Sequence, residues 1–238
     1  MPRRTAPHDA PRSLATVAQA IITCERCPRL RTYCARIGRE KRAAYRDDTY
    51  WARPVPGFGD PAASIALVGL APAAHGANRT GRVFTGDGVG GSGDFLMTAL
   101  HAAGLANQPF SRGRDDGLTL DGVWIAAAVR CAPPDNKPTP EEIAACYPHL
   151  VAELEALPRL QVLVALGKIA FDTCWRILAD RGIRPARKAT FTHGATYRYA
   201  SAPAIVASYH PSRQNTHTGR LTPAMLLQAC ETARSLTR

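Results

Sequence analysis

The chain has 238 residues, a formal net charge of +11 and 45% hydrophobic residues, a length that suits one α/β domain with a full core. No run comes near the roughly eighteen apolar residues of a membrane span, and the N-terminus lacks the apolar stretch of a secretory leader, so neither is expected. A cytoplasmic protein is expected, in which the seven cysteines are free or metal-bound rather than bridged.

The charge is uneven. Residues 1–42 carry ten Lys and Arg against three acids, and residues 181–220 carry seven and no acid. Two basic segments suit a polyanion, most often nucleic acid. A high-GC genome rich in Arg and Ala codons gives the same composition, so charge leaves both readings open.

In chain order, residues 1–12 read as a disordered basic tail, and 13–238 as a single domain. A Ser-capped helix is predicted over 13–23, ending at Cys24-Glu-Arg-Cys27, and residues 43–61 read as a packed irregular arm. Ile65–Gly69 is a short apolar run bounded by Asp60-Pro61 and Ala71-Pro72, the pattern of a buried parallel strand. About twenty polar, Gly-rich residues follow it, and a loop that long in a compact domain usually carries function. A helix is predicted over Asp94–Leu105, a strand over Val123–Arg130, and a helix from Thr139-Pro-Glu-Glu142 towards Leu157. A strand over Val162–Leu166 leads into a helix opened by Gly167. Residues 186–201 read as a hairpin around His193-Gly194, Ala204–Ser208 as the last strand, and Thr222-Pro223 as the start of a terminal helix. Four apolar strands alternating with helices give a parallel sheet covered on both faces. Ligands bind beyond the carboxyl ends of such strands, where loops 70–93, 131–138 and 209–221 are expected to converge.

Cys24, Cys27, Cys131 and Cys146 fall at two loop–helix junctions and suggest one tetrathiolate site. Zinc and a [4Fe–4S] cluster both fit that donor set. Cys34, Cys174 and Cys230 read as buried, inert thiols, although Cys34 could replace one of the four.

These residues resemble the uracil-DNA glycosylase superfamily, specifically family 5, or type b. The likeness rests on Gly69-Leu-Ala-Pro-Ala-Ala-His-Gly76, Asn78-Arg-Thr-Gly-Arg82, Phe84-Thr-Gly-Asp87, Arg130-Cys-Ala-Pro-Pro134 with Asn136-Lys-Pro138, and His210-Pro-Ser212 with Thr218-Gly-Arg-Leu-Thr222. Their order and spacing cover residues 24–222. The resemblance implies a three-layer α/β/α sandwich on a four-stranded parallel sheet, a structural [4Fe–4S] cluster on Cys24, Cys27, Cys131 and Cys146, and a monomer without membrane contact, working in bacterial DNA repair at the nucleoid. It implies hydrolysis of the bond between a deaminated base and deoxyribose in DNA, after the nucleotide is flipped from the duplex.

On that reading Phe84 stacks on the base, and Gly69, Ala71, His75 and Ala127 line its pocket. His210 donates a hydrogen bond to the base O2 as negative charge develops there. Water activation falls to Asp87 and Asn136, because Leu70 stands where related families place an acidic or amide side chain. Ala127 replaces an amide that reads uracil in narrower relatives, so a looser range that includes hypoxanthine and extends to xanthine is expected. Arg79, Arg82, Ser212, Arg213 and Arg220 are candidates for DNA contact, and Gln214, Asn215 or His217 for filling the gap left by flipping. Lyase chemistry needs a pocket lysine, and with only Lys137 and Lys168 near strand ends a monofunctional enzyme is expected. The competing readings are a non-catalytic module that senses a base and, last, a nucleotide-binding protein using Gly86–Gly93 as a phosphate cradle.

Overall fold

The computed structural model describes residues 12–183 and 189–237; the tail predicted over 1–12, apart from Arg12, lies outside them. Helix α1, Leu14–Ile22, begins where the Ser13 hydroxyl accepts the Thr16 amide, as its cap residue predicts. A second helix, α2, Pro28–Glu40, was not foreseen. Pro28 opens it without loss of a hydrogen bond, but only Leu30 and Cys34 are buried, too few for a periodic signal. After strand β1, Phe58–Gly59, comes β2, Ile65–Gly69. The long loop behind β2 contains one short helix, α3, Ala77–Thr80, and then α4 runs over Ser92–Ala102.

Strand β3 is Val123–Ala127, shorter than the predicted 123–130. Beyond it, the amides of Ala128 and Val129 bond to the carbonyls of Gly69 and Leu70, but the chain has left the ladder. Helix α5, Pro140–Glu155, has a complete capping box between Thr139 and Glu142. Next come β4, Val162–Leu166, and α6, Lys168–Asp180. The predicted hairpin is corrected. Residues 186–188 lie outside the described chain, and the described part contains only β5, Thr196–Tyr197, which pairs with β6, Ala204–Ser208, rather than with its own neighbour. The alternation that suggested a hairpin comes from Phe191, Tyr197 and Tyr199, whose rings pack around Phe171 and Trp175 on α6. Helix α7, Arg213–His217, and α8, Pro223–Ser235, complete the chain.

Among the described residues the sheet has six strands, in the order β1-β3-β2-β4-β6-β5. The four predicted strands are its parallel centre, and every residue in them is buried. The two additions are two-residue antiparallel edges, too short to show alternation and well suited to blunting a sheet margin. Helices α4 and α8 cover one face, with Leu96, Leu100, Leu226 and Ala233 against Leu67, Ile125, Val164 and Val206. Helices α5 and α6 cover the other, with Leu150, Leu154, Phe171 and Ile177 against Val68, Leu163 and Ile205. The result is the expected α/β/α sandwich. Because β2 lies between β3 and β4, the chain reverses its winding there, and the carboxyl end of β2 is the position where such sheets bind ligands. No helix among the described residues is long and apolar enough to cross a membrane.

Candidate active site

Gly69 ends β2 directly beside Ala127 at the end of β3. A Cβ on Gly69 would stand 2.8 Å and 2.9 Å from two ring carbons of Phe84, so the absence of a side chain is what lets the ring lie over the strand end. Phe84 itself has φ +50°, a left-handed conformation that a bulky residue adopts only when its surroundings impose it. The Phe84 carbonyl is crowded against Gly93 in α4, where a Cβ would overlap it. The half-buried ring is therefore held from both sides.

His210 follows β6. Its ring is stacked on that of Phe84, with centroids 5.7 Å apart and planes at 30°. Its carbonyl accepts a 2.8 Å bond from the Asn215 side-chain amide, which ties the strand end to α7. Burial pushes the His210 imidazole down to about 4. At neutral pH the ring is uncharged and carries a single N–H donor.

Asp87 lies at the far end of the Phe84 motif. Its carboxyl presses on Gly76, where any Cβ would collide with Oδ1. Oδ1 is buried without a hydrogen-bond partner. Burial pushes the carboxyl up to about 6, against the opposing pull of the Gly93 amide and the Arg213 guanidinium. It is thus a carboxylate at neutral pH, but a more basic one than usual, with a free acceptor.

The other proposed pocket residues divide. His75 pairs through Nδ1 with the Tyr50 hydroxyl at 2.9 Å, and burial with Arg42 and Arg79 nearby holds its pKa below the usual range. Ala71 packs on the layer formed by Leu30, Cys34, Val129 and Cys131 and so joins the pocket loop to the cysteines. Asn136 is exposed, in a left-handed conformation with φ +56°, and makes no side-chain hydrogen bond to Asp87 or His210 among the described residues.

Two arginines proposed for DNA are engaged within the protein. Arg82 is 6% exposed; its guanidinium bonds to Thr85, Ser111, the Arg114 carbonyl and Asp116, so it braces the loop from inside. Arg79 spends its guanidinium on Asp48 and on the His75 and Gly86 carbonyls, stacked over Tyr45 at 4.0 Å. Both guanidinia are absorbed by a loop whose many turns leave carbonyls to satisfy. Arg213, Gln214 and Arg220 are exposed, Ser212 caps α7, and Asn215 is occupied with His210.

Cys24, Cys27, Cys131 and Cys146 line one apolar cavity with Leu30, Val129, Arg130 and His149. The Arg130 amide donates to Cys146 Sγ at 3.2 Å. Cys34 is not in that lining; its thiol lies against Cys131 and donates to the Ala132 carbonyl at 3.6 Å. Among the described residues no three His, Cys, Asp or Glu side chains gather closely enough to hold a single metal ion. Four thiols around one cavity are a donor set that suits either zinc or an iron–sulfur cluster.

Sequence reasoning did not find Tyr50, Gly76 or the buried Arg130–Glu153 pair, whose nitrogen and oxygen are 2.7 Å apart. Tyr50 sits in an arm without periodicity. Gly76 carried a signal, since a glycine inside a motif marks a close approach, here by Asp87.

The family model for the uracil DNA glycosylase superfamily matches residues 56–234. The chain belongs to that superfamily. A type-5 uracil-DNA glycosylase of Thermus thermophilus is 52% identical over 92% of this chain and 95% of its own length. One from Mycobacterium leprae is 46% identical over 90% of this chain and 91% of its own. A type-4 uracil-DNA glycosylase of Archaeoglobus fulgidus is 32% identical over 66% of this chain and 70% of its own. The superfamily placement therefore extends to type 5.

Proposed function

We propose that the chain is a monofunctional DNA glycosylase that hydrolyses the N-glycosidic bond of uracil and other deaminated bases, leaving an abasic site. The observation that carries this is the Phe84–His210 pair over Gly69, with the strained Phe84 and an uncharged His210 at one strand end. A flipped base stacked on Phe84 gains roughly 1–3 kcal/mol from such a platform. As the glycosidic bond breaks, electrons move onto the base; the N–H of neutral His210 stabilises the oxygen where that charge collects. Asp87, a more basic carboxylate than usual, orients the water that adds to the sugar and takes its proton. Lys168 is salt-bridged to Asp172 at 2.6 Å on the exposed face of α6, which supports hydrolysis without a lysine nucleophile.

Ala127 and Gly69 offer the base edge no side-chain polar group, so the pocket does not strongly reject purines. Release of hypoxanthine, and of xanthine, is expected within about two orders of magnitude of uracil in single-turnover assays. A uracil preference beyond that would overturn the broad-range reading.

Cys24, Cys27, Cys131 and Cys146 would hold a [4Fe–4S] cluster that cross-links α2, α5 and the loop after β3. When bound it supplies structural cross-linking, and no reaction step is assigned to it. Cys146→Ser is expected to lose iron and visible absorbance, and Cys34→Ser to keep both. Equal iron loss in the two variants would give Cys34 a place among the ligands.

A further inference from the structure

Arg130 is 1% exposed, and only part of it is engaged. Its amide donates to Cys146 Sγ, its carbonyl accepts the Val55 amide at 2.7 Å, and Nη2 donates to Glu153 Oε2 at 2.7 Å. Glu153 is fixed in turn by the Gly57 amide, which donates to Oε1 at 2.9 Å. Nε and Nη1 of Arg130 are buried with no partner among the described residues, a costly state for two donors of a cation. The residue lines the cysteine cavity. Burial pushes the Cys146 thiol up to about 11, and the strongest opposing influence is the Arg130 guanidinium, whose charge therefore lies beside that sulfur. Arg26 and Arg31 line the cavity too, but Arg26 bonds to the Ala145 carbonyl, and Arg31 to Glu25 and the Ala52 carbonyl. None of the lining residues carries a side-chain oxygen. A buried water needs several polar partners, which a wall of thiols, apolar groups and cations does not supply. A sulfur-rich anion accepts from the free donors directly.

We propose that Arg130 is the buried donor to the sulfur centre held by Cys24, Cys27, Cys131 and Cys146, its Nε and Nη1 N–H groups meeting the sulfurs while Glu153 holds the guanidinium in place. Four thiolates carry more negative charge than the metal they bind offsets, and a buried cation with two free donors compensates the excess in a water-poor wall. Donors and positive charge at the sulfurs favour the state with the extra electron, so they raise the reduction potential of an iron–sulfur cluster. Glu153 belongs to α5 and Gly57 directly precedes β1, so the pair also ties the centre to the sheet edge. This rests on the cluster reading above and assigns Arg130 to the centre, not to the base.

The test compares wild-type holoprotein with the double variant Arg130→Met, Glu153→Met, which removes the pair together and leaves no lone buried charge. Metal loss to EDTA is expected to be about tenfold faster in the variant, the usual effect of losing an outer-shell partner. The midpoint potential of the one-electron cluster couple should fall by about 59 mV, a tenfold change in that equilibrium. Arg130→Lys, which keeps the charge beside Glu153, should recover part of the potential. An unmoved potential in the double variant would overturn the proposal, even with faster metal loss, because a purely structural brace affects loss alone. Colourless protein holding zinc would instead overturn the cluster reading. Arg130 is then decided with cobalt in place of zinc: loss of its donors should shift the thiolate-to-cobalt absorption to longer wavelength, and an unmoved band would overturn the assignment.

Discussion

Asp87→Asn is expected to be more stable than wild type above pH 6 and to release uracil roughly two to three orders of magnitude more slowly. The Asp87 carboxyl is raised from an ordinary 3.8 to about 6 by burial. Ionising it in the folded protein therefore costs free energy that the unfolded chain does not incur. Below about pH 4 the group is protonated in both states and the cost is absent. Above pH 6 it is ionised in both and the cost is complete. That gap corresponds to at most about 3 kcal/mol, and partial solvent contact reduces it. The asparagine has no charge to bury, so its advantage should grow between pH 4 and 6 and then level off. Chemical denaturation across that range measures it. The same substitution removes the proton acceptor, so wild type should show an acid limb in single-turnover rate near pH 6 that the variant lacks. A variant that is equally fast would remove Asp87 from the water-activating role, and one that is less stable at pH 8 would contradict the cost of burying its charge.

His210→Ala is expected to slow base release by about 10²–10³, the usual loss for one donor aimed at developing charge. Because burial holds the ring at about 4, it stays neutral through the working range. Its protonation should therefore leave no mark on the rate between pH 5 and 8, which separates it from Asp87. Binding of an uncleaved duplex should change little, since the bond to the base oxygen strengthens only as charge moves onto it. His210→Gln, which keeps an N–H donor at similar reach, should recover part of the rate. A pure packing role would instead lower stability in both variants and leave no difference between them.

The four central strands and five of the eight α-helices among the described residues could be read from apolar runs, caps and prolines, because each is either buried on both faces or begins with a local signal. Thr139, Pro140 and Glu142 mark α5 almost alone. Helix α2 escaped because it buries only Leu30 and Cys34, and α3 and α7 because four- and five-residue helices carry no period. The edge strands β1 and β5 are set by the free margins of β3 and β6, a tertiary cause that no local pattern contains. At the site, glycines and the motif order located Phe84, Asp87 and His210. The fate of the arginines was beyond reach of sequence: Arg82 and Arg213 look alike in a chain, and only the fold buries one and exposes the other. Cys34 and Cys131 were likewise separable only by which thiols share the cavity.

The most direct measurement is a single-turnover incubation of wild-type protein with a uracil-containing duplex, scoring free base and strand integrity together. A monofunctional glycosylase gives free uracil in step with alkali-labile abasic sites and no strand break before alkali. Tight binding without free base would contradict it and make the chain a sensor of the damaged base.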